Sequence, residues 1–148
     1  MKQLKPNEVG HYSGCPCFFN NGKEFLKGEM NFLMLHHYQQ GTCIEIVPIL
    51  RPLKEMTIDE MKEWSKQPSF VDGFAKDCIN KIAGDLFGFH RFVSEWGAQD
   101  SYLWLMEKGF DVFGWLDTKQ AISKENADKL SDVYSPEAFN DIIRMIKN

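Results

Sequence analysis

The segment Cys15–Leu50, CPCFFNNGKEFLKGEMNFLMLHHYQQGTCIEIVPIL, decides the fold class. It divides into short apolar or alternating runs separated by Asn20-Asn21-Gly22, Gly28-Glu29-Met30-Asn31 and Gln39-Gln40-Gly41. Asn and Gly accept positive φ, so these separators make tight turns. Strands are expected at Cys15–Phe19, Lys23–Lys27, Phe32–Tyr38 and Thr42–Val47, the last on its β-branched content. Short connections favour an antiparallel meander. Pro48 and Pro52 then argue against a central strand, because each lacks a ladder donor, and Pro48–Leu53 is expected to be an extended connector.

Outward from this segment the pattern turns helical. Pro6 suits the first turn of a short helix near the start. Thr57-Ile58-Asp59-Glu60 is a capping box, in which the Thr57 hydroxyl and the Glu60 carboxylate satisfy each other's backbone amides. That helix is expected to reach about Lys66 and stop before Pro68. Ser69 caps a second helix, with Val71, Phe74, Ala75, Cys78, Ile79 and Ile82 at three- and four-residue spacing, and Gly84 ends or kinks it. Asp85–Glu95 remains ambiguous between helix and loop. Asp100 or Ser101 caps a helix that Gly109 closes in left-handed conformation. Asp111 opens a short helical turn carrying Val112, Trp115 and Leu116, and Ser123 caps a polar helix. Ser135-Pro136-Glu137 places Pro136 at the first helical position, with Tyr134 and Phe139 at staple spacing and Ile142, Ile143 and Ile146 along the apolar stripe. Strands followed by helices predict an α+β fold: a small antiparallel meander, mainly over residues 15–47, packed against a helical half over 57–148. One domain spanning 1–148 is expected at this length.

Composition narrows the function classes. The chain is 43% hydrophobic and 26% charged, which excludes a disordered polymer. A net charge of −4, with Lys and Arg scattered, supplies no basic face for nucleic acid. The polar start MKQLKPNEVG lacks the apolar core of a signal peptide, and no apolar run approaches the roughly 20 residues that span a bilayer. A cytoplasmic location with reduced cysteines is therefore expected, with no membrane association.

Candidate chemistry is sparse. Cys15-Pro16-Cys17 carries two soft ligands one residue apart, whereas zinc sites space their first pair by two to four residues. On neighbouring strands, Cys15 and Cys17 share a face with one of His36 and His37, and Cys43 is a further ligand type within the sheet region. These five are the candidate metal ligands, set against the reading of cysteine as a small buried hydrophobe. Cys78 lies on an apolar helix face, unsuited to a reactive thiol. Asp59-Glu60 is explained by capping, and Glu29 and Glu45 by solvated strand positions. No Walker loop, dinucleotide fingerprint, GxSxG or HExxH is present, no cofactor is implied, and the balance leans away from an enzyme.

The remaining signal is aromatic. Tyr102–Ile122, YLWLMEKGFDVFGWLDTKQAI, carries Tyr102, Trp104, Phe110, Phe113 and Trp115 around Gly109 and Gly114. Such residues build cores and also anchor interfaces. Trp96, Trp104 and Trp115, with Arg91 and Phe92, are the candidate binding residues for a protein partner or a second copy of the chain.

Two segments resemble small uncharacterised proteins encoded by phages and prophages of Bacteroidetes: Ile46–Thr57, with its proline-flanked Arg51, and Gly109–Ile122, with Phe110-Asp111-Val112-Phe113-Gly114-Trp115-Leu116. The shared order covers about half the chain. The resemblance implies a mobile-element origin and intracellular action, and it supplies no active site to carry over. Because Phe110–Leu116 belongs to the shared pattern, a structural role fits it, and the Gly84–Gln99 region with Trp96 becomes the better interface candidate. Arg51 is expected to bond carbonyls or a carboxylate where sheet meets helix. The leading expectation is a non-enzymatic accessory protein that binds a host or phage protein, with a host defence system as one target. The alternatives are a metal-binding protein or enzyme using Cys15, Cys17 and His36 or His37, and a minor virion or assembly component.

Overall fold

The computed structural model of the 148-residue chain describes residues 3–41, 43, 45–64 and 99–148. The expected helix from Ser69, Gly84, Cys78 and the Asp85–Glu95 region lie outside the described residues. Backbone contacts divide the chain into two compact units, Met1–Leu50 with Trp115–Asn148, and Arg51–Gly114.

The first unit is built on a mixed sheet. Its strands are β1 (Pro16–Asn20), β2 (Phe25–Glu29), β3 (Glu45–Leu50), β4 (Ile122–Ser123) and β5 (Val133–Tyr134). The lateral order is β4-β3-β1-β2-β5. β1 and β2 form a hairpin through Asn21–Glu24, with Gly22 at φ 95°. β3 returns antiparallel on the other side of β1, and β4 lies parallel to β3 at Ile49 and Leu50. A parallel neighbour needs a long crossover, and the whole Arg51–Gly114 stretch intervenes in the chain. Three of the five described strands lie in the N-terminal half, and helices accompany the mixed sheet, so the fold is α+β.

Two expectations fail here. Phe32–Gln39 is an α-helix, not a strand. The Asn31 side chain accepts from the Met34 amide at 2.9 Å, an N-cap that the neighbouring turn signal concealed. Pro48 lies inside β3, opposite Cys17, with a strand on either side of β3. β4 pairs with β3 only from Ile49 onward, so Pro48 has a paired strand residue on the β1 side alone, an edge-like position of the kind where proline is tolerated.

One sheet face meets the C-terminal helix Pro136–Met145. Phe18, Phe25, Val47 and Ile49 pack with Ile122, Ala127, Phe139 and Ile143. Phe139 stacks on Phe25 with ring centroids 4.0 Å apart and tilts against Phe18 at 5.0 Å. The helix begins as its sequence requires: Ser135 accepts from the Ala138 amide, Pro136 opens the first turn, and Tyr134 meets Phe139 at 6.3 Å. Ser123 likewise caps Lys124–Ala127. Tyr12 and Trp115 add a second aromatic contact at 5.5 Å.

The second unit is organised around Arg51. Its amide donates to the Gly109 carbonyl and its carbonyl accepts from the Asp111 amide, both at 2.8 Å. Its guanidinium forks onto both Glu60 oxygens at 2.7 Å and lies 4.4 Å from the centre of the Phe110 ring. The capping box forms as expected, with Thr57 and Glu60 exchanging bonds of 3.1 Å at the start of Ile58–Trp64. That helix packs on Gln99–Glu107. Gly109, at φ 79°, closes the latter by donating to Met106, and the Phe110 amide reaches back to Leu105. After Gly109 the chain makes turns rather than the short helix expected from Asp111, whose carboxylate accepts the Phe113 amide at 3.3 Å.

Candidate functional site

The second face of the sheet carries the site. Residues alternate across a strand, so Cys17 and Phe19 point away from Phe18 and its core. Helix Phe32–Gln39 lies over this face. At Gly28, opposite Cys17 in β2, the layers approach closely. A Cβ built there would stand 3.0 Å from the Phe19 ring and 3.9 Å from the Met34 methyl. Cys17 Sγ lies 3.5 Å from Met34 Sδ. The Tyr38 hydroxyl donates to the Leu4 carbonyl and ties the N-terminal segment to the same helix.

Beside this contact an open groove of about 400 Å³ is lined by Phe19, Asn21, Asn31, Leu33, Met34, His37 and Cys43. Its lining holds no Asp, Glu, Lys or Arg. Leu33 projects at the rim, 62% exposed, in the first turn of the helix. Cys43 is positioned at the far wall by its amide, which donates to the His37 carbonyl at 3.2 Å. An apolar floor with amide and imidazole edges suits an apolar side chain flanked by hydrogen-bonding groups.

The thiols of Cys15, Cys17 and Cys43 are buried, and none is in a disulfide. Burial, reinforced by the neighbouring Cys43 and Cys15, pushes the Cys17 thiol up to about 12. Burial also raises Cys15 and Cys43. All three are therefore protonated near neutral pH, the opposite of a nucleophile's requirement. The five metal candidates do not assemble. Among the described residues no three His, Cys, Asp or Glu side chains form a set able to hold a metal ion. Turning residues 32–39 from strand to helix removed the shared face on which that expectation rested, and His36 and His37 are exposed on the helix.

The other sequence candidates fall elsewhere. Arg91, Phe92 and Trp96 lie outside the described residues. Trp104 and Trp115 are buried, 8% and 7% exposed. Among the described residues, Glu60 is the carboxylate held furthest from its ordinary value. The Arg51 fork, helped by the Thr57 bonds, holds it down at about 2, and both its oxygens are occupied. It organises backbone rather than meeting a ligand. The groove residues were not singled out as a set, because they come from β1, two turns and a helix. Leu33 offered a signal only once residues 32–39 are read as a helix.

No helix among the described residues is long and apolar enough to cross a membrane. In comparison with family models, curated proteins and solved structures, the chain matches none.

Proposed function

We propose that this chain is a non-enzymatic accessory protein of a phage or other mobile element, acting inside the host cell by binding a host or phage protein. A component of a host defence system is the partner class that best suits such a role. The observation that carries the binding reading is the uncharged, apolar groove beside helix Phe32–Gln39, with Leu33 exposed at its rim. An exposed leucine next to a methionine-lined recess is the kind of surface that a partner's apolar side chain covers with gain, and methionine adapts its shape to what enters. The mobile-element origin rests on the likeness of Ile46–Thr57 and Gly109–Ile122 to phage-encoded proteins. The thiols are held protonated, which fits packing better than group transfer.

The test is co-purification of the tagged chain from host cells with and without infection, in parallel with Leu33→Asp. A partner recovered by the wild type and lost in the variant supports the reading. Equal recovery by both, or none by either, contradicts it. Recovery of capsid or tail proteins would move the chain to the virion-component alternative. Size-exclusion chromatography at several concentrations separates a second copy from a foreign partner.

A further inference from the structure

We propose that Asn21 is a covalent modification site, the asparagine at which this chain converts spontaneously to aspartate and isoaspartate. Asn21-Gly22 is the sole Asn-Gly pair in the sequence, and it forms the exposed tip of the β1–β2 hairpin. The chemistry is attack of the Gly22 amide nitrogen on Asn21 Cγ. A carbon–nitrogen bond forms to close a succinimide, the Cγ–nitrogen bond breaks, and the Gly22 proton passes through solvent to the departing nitrogen, which leaves as ammonia. Water then opens the ring at either carbonyl, giving aspartate or isoaspartate.

Three features of the hairpin favour this residue over its neighbours. Glycine presents its nitrogen without a side chain to crowd the approach. The oxygen that gains negative charge during attack is Asn21 Oδ1, and it already accepts the Lys23 and Glu24 amides at 3.0 Å each. Donors aimed at a developing oxyanion lower the barrier to forming it. Asn20, by contrast, is buried, and its attacking nitrogen would be the Asn21 amide, which is bound to the Glu24 carbonyl at 3.2 Å. The Gly22 amide is held by a side chain alone, Asn20 Oδ1 at 2.9 Å.

The product changes the surface. An aspartate at 21 keeps the two amide bonds as stronger charge-assisted ones. An isoaspartate inserts an extra carbon into the hairpin backbone. Either adds one negative charge to the rim of the groove that Asn21 lines. The inference stands independently of what that groove binds.

The native chain is incubated at mildly alkaline pH, sampled by anion exchange and mapped by peptide mass. The expected result is an acidic species that grows with time, co-elutes in part with Asn21→Asp, and carries its mass change at residue 21 before any other asparagine. Asn21→Asp shows no further mass or charge change in that peptide, since its own cyclisation and reopening only exchange aspartate with isoaspartate. The proposal is overturned if another asparagine converts first. It is also overturned if the native chain keeps Asn21 intact under conditions where the urea-unfolded chain converts it.

Discussion

Arg51 sits one residue before Pro52 and three after Pro48; its backbone makes a strand-like bridge while its side chain joins a helix cap to an aromatic ring. Its bidentate geometry is one that lysine cannot reproduce. The carboxylate it holds, Glu60, titrates at about 2 rather than at its ordinary 4.5. A depressed folded-state value means that the pair's stabilisation is fully present above the ordinary value and lost as pH falls toward about 2. Urea midpoints of wild type and Glu60→Gln should therefore differ at neutral pH and converge as pH is taken down through that window. A constant gap across it would contradict the assignment. Asn148 is a second case. Its side chain accepts from the Ser123 amide and donates to the Leu116 and Ala121 carbonyls, at 2.8, 2.9 and 3.1 Å. Asn148→Ala should cost about 1–3 kcal/mol in chemical denaturation, since backbone groups lose their partner. Nothing in the local sequence announces this residue, because its partners lie 25 or more positions away.

At the scale of elements, the termini were the most legible features. Thr57 with Glu60, Ser123, Ser135 with Pro136, and Gly109 all act as their residue types dictate, because capping is decided within four or five residues. The helix Phe32–Gln39 was not legible. It is short and shows no one-sided apolar stripe, so periodicity could not separate it from a strand. Its cap, Asn31, sits in a turn-like cluster and reads as a hairpin residue. The strand order was equally hidden, since β3 beside β1 and β4 beside β3 are non-local pairings. The groove inherited both failures. Two substitutions probe the elements. Phe139→Ala removes the ring that fills the space between Phe18 and Phe25 and should cost about 3–5 kcal/mol. Gly109→Ala puts a side chain where φ is 79° and should cost roughly 1–2 kcal/mol. Both are read from urea denaturation with far-UV dichroism, and a change of a few tenths in either would contradict the packing described.

For the molecule as a whole, the first unit has two unequal sheet faces. One is closed by the C-terminal helix around Phe139. Among the described residues the other is covered by helix Phe32–Gln39, with Leu33 exposed and the groove beside it. On the proposed function, stability rests on the first face and partner binding on the second. Leu33→Asp separates the two. The position is in the first helical turn, where a carboxylate is favoured by about 0.3–1 kcal/mol, so the variant should be as stable as wild type while losing its partner. The most direct measurement is site-specific photocrosslinking in host cells, with the photoreactive residue at position 33 and, as control, at exposed position 137 on the C-terminal helix. The expected result is a discrete adduct of one partner from position 33 alone. Adducts of equal yield from both positions, or none from position 33, would contradict recognition through the groove.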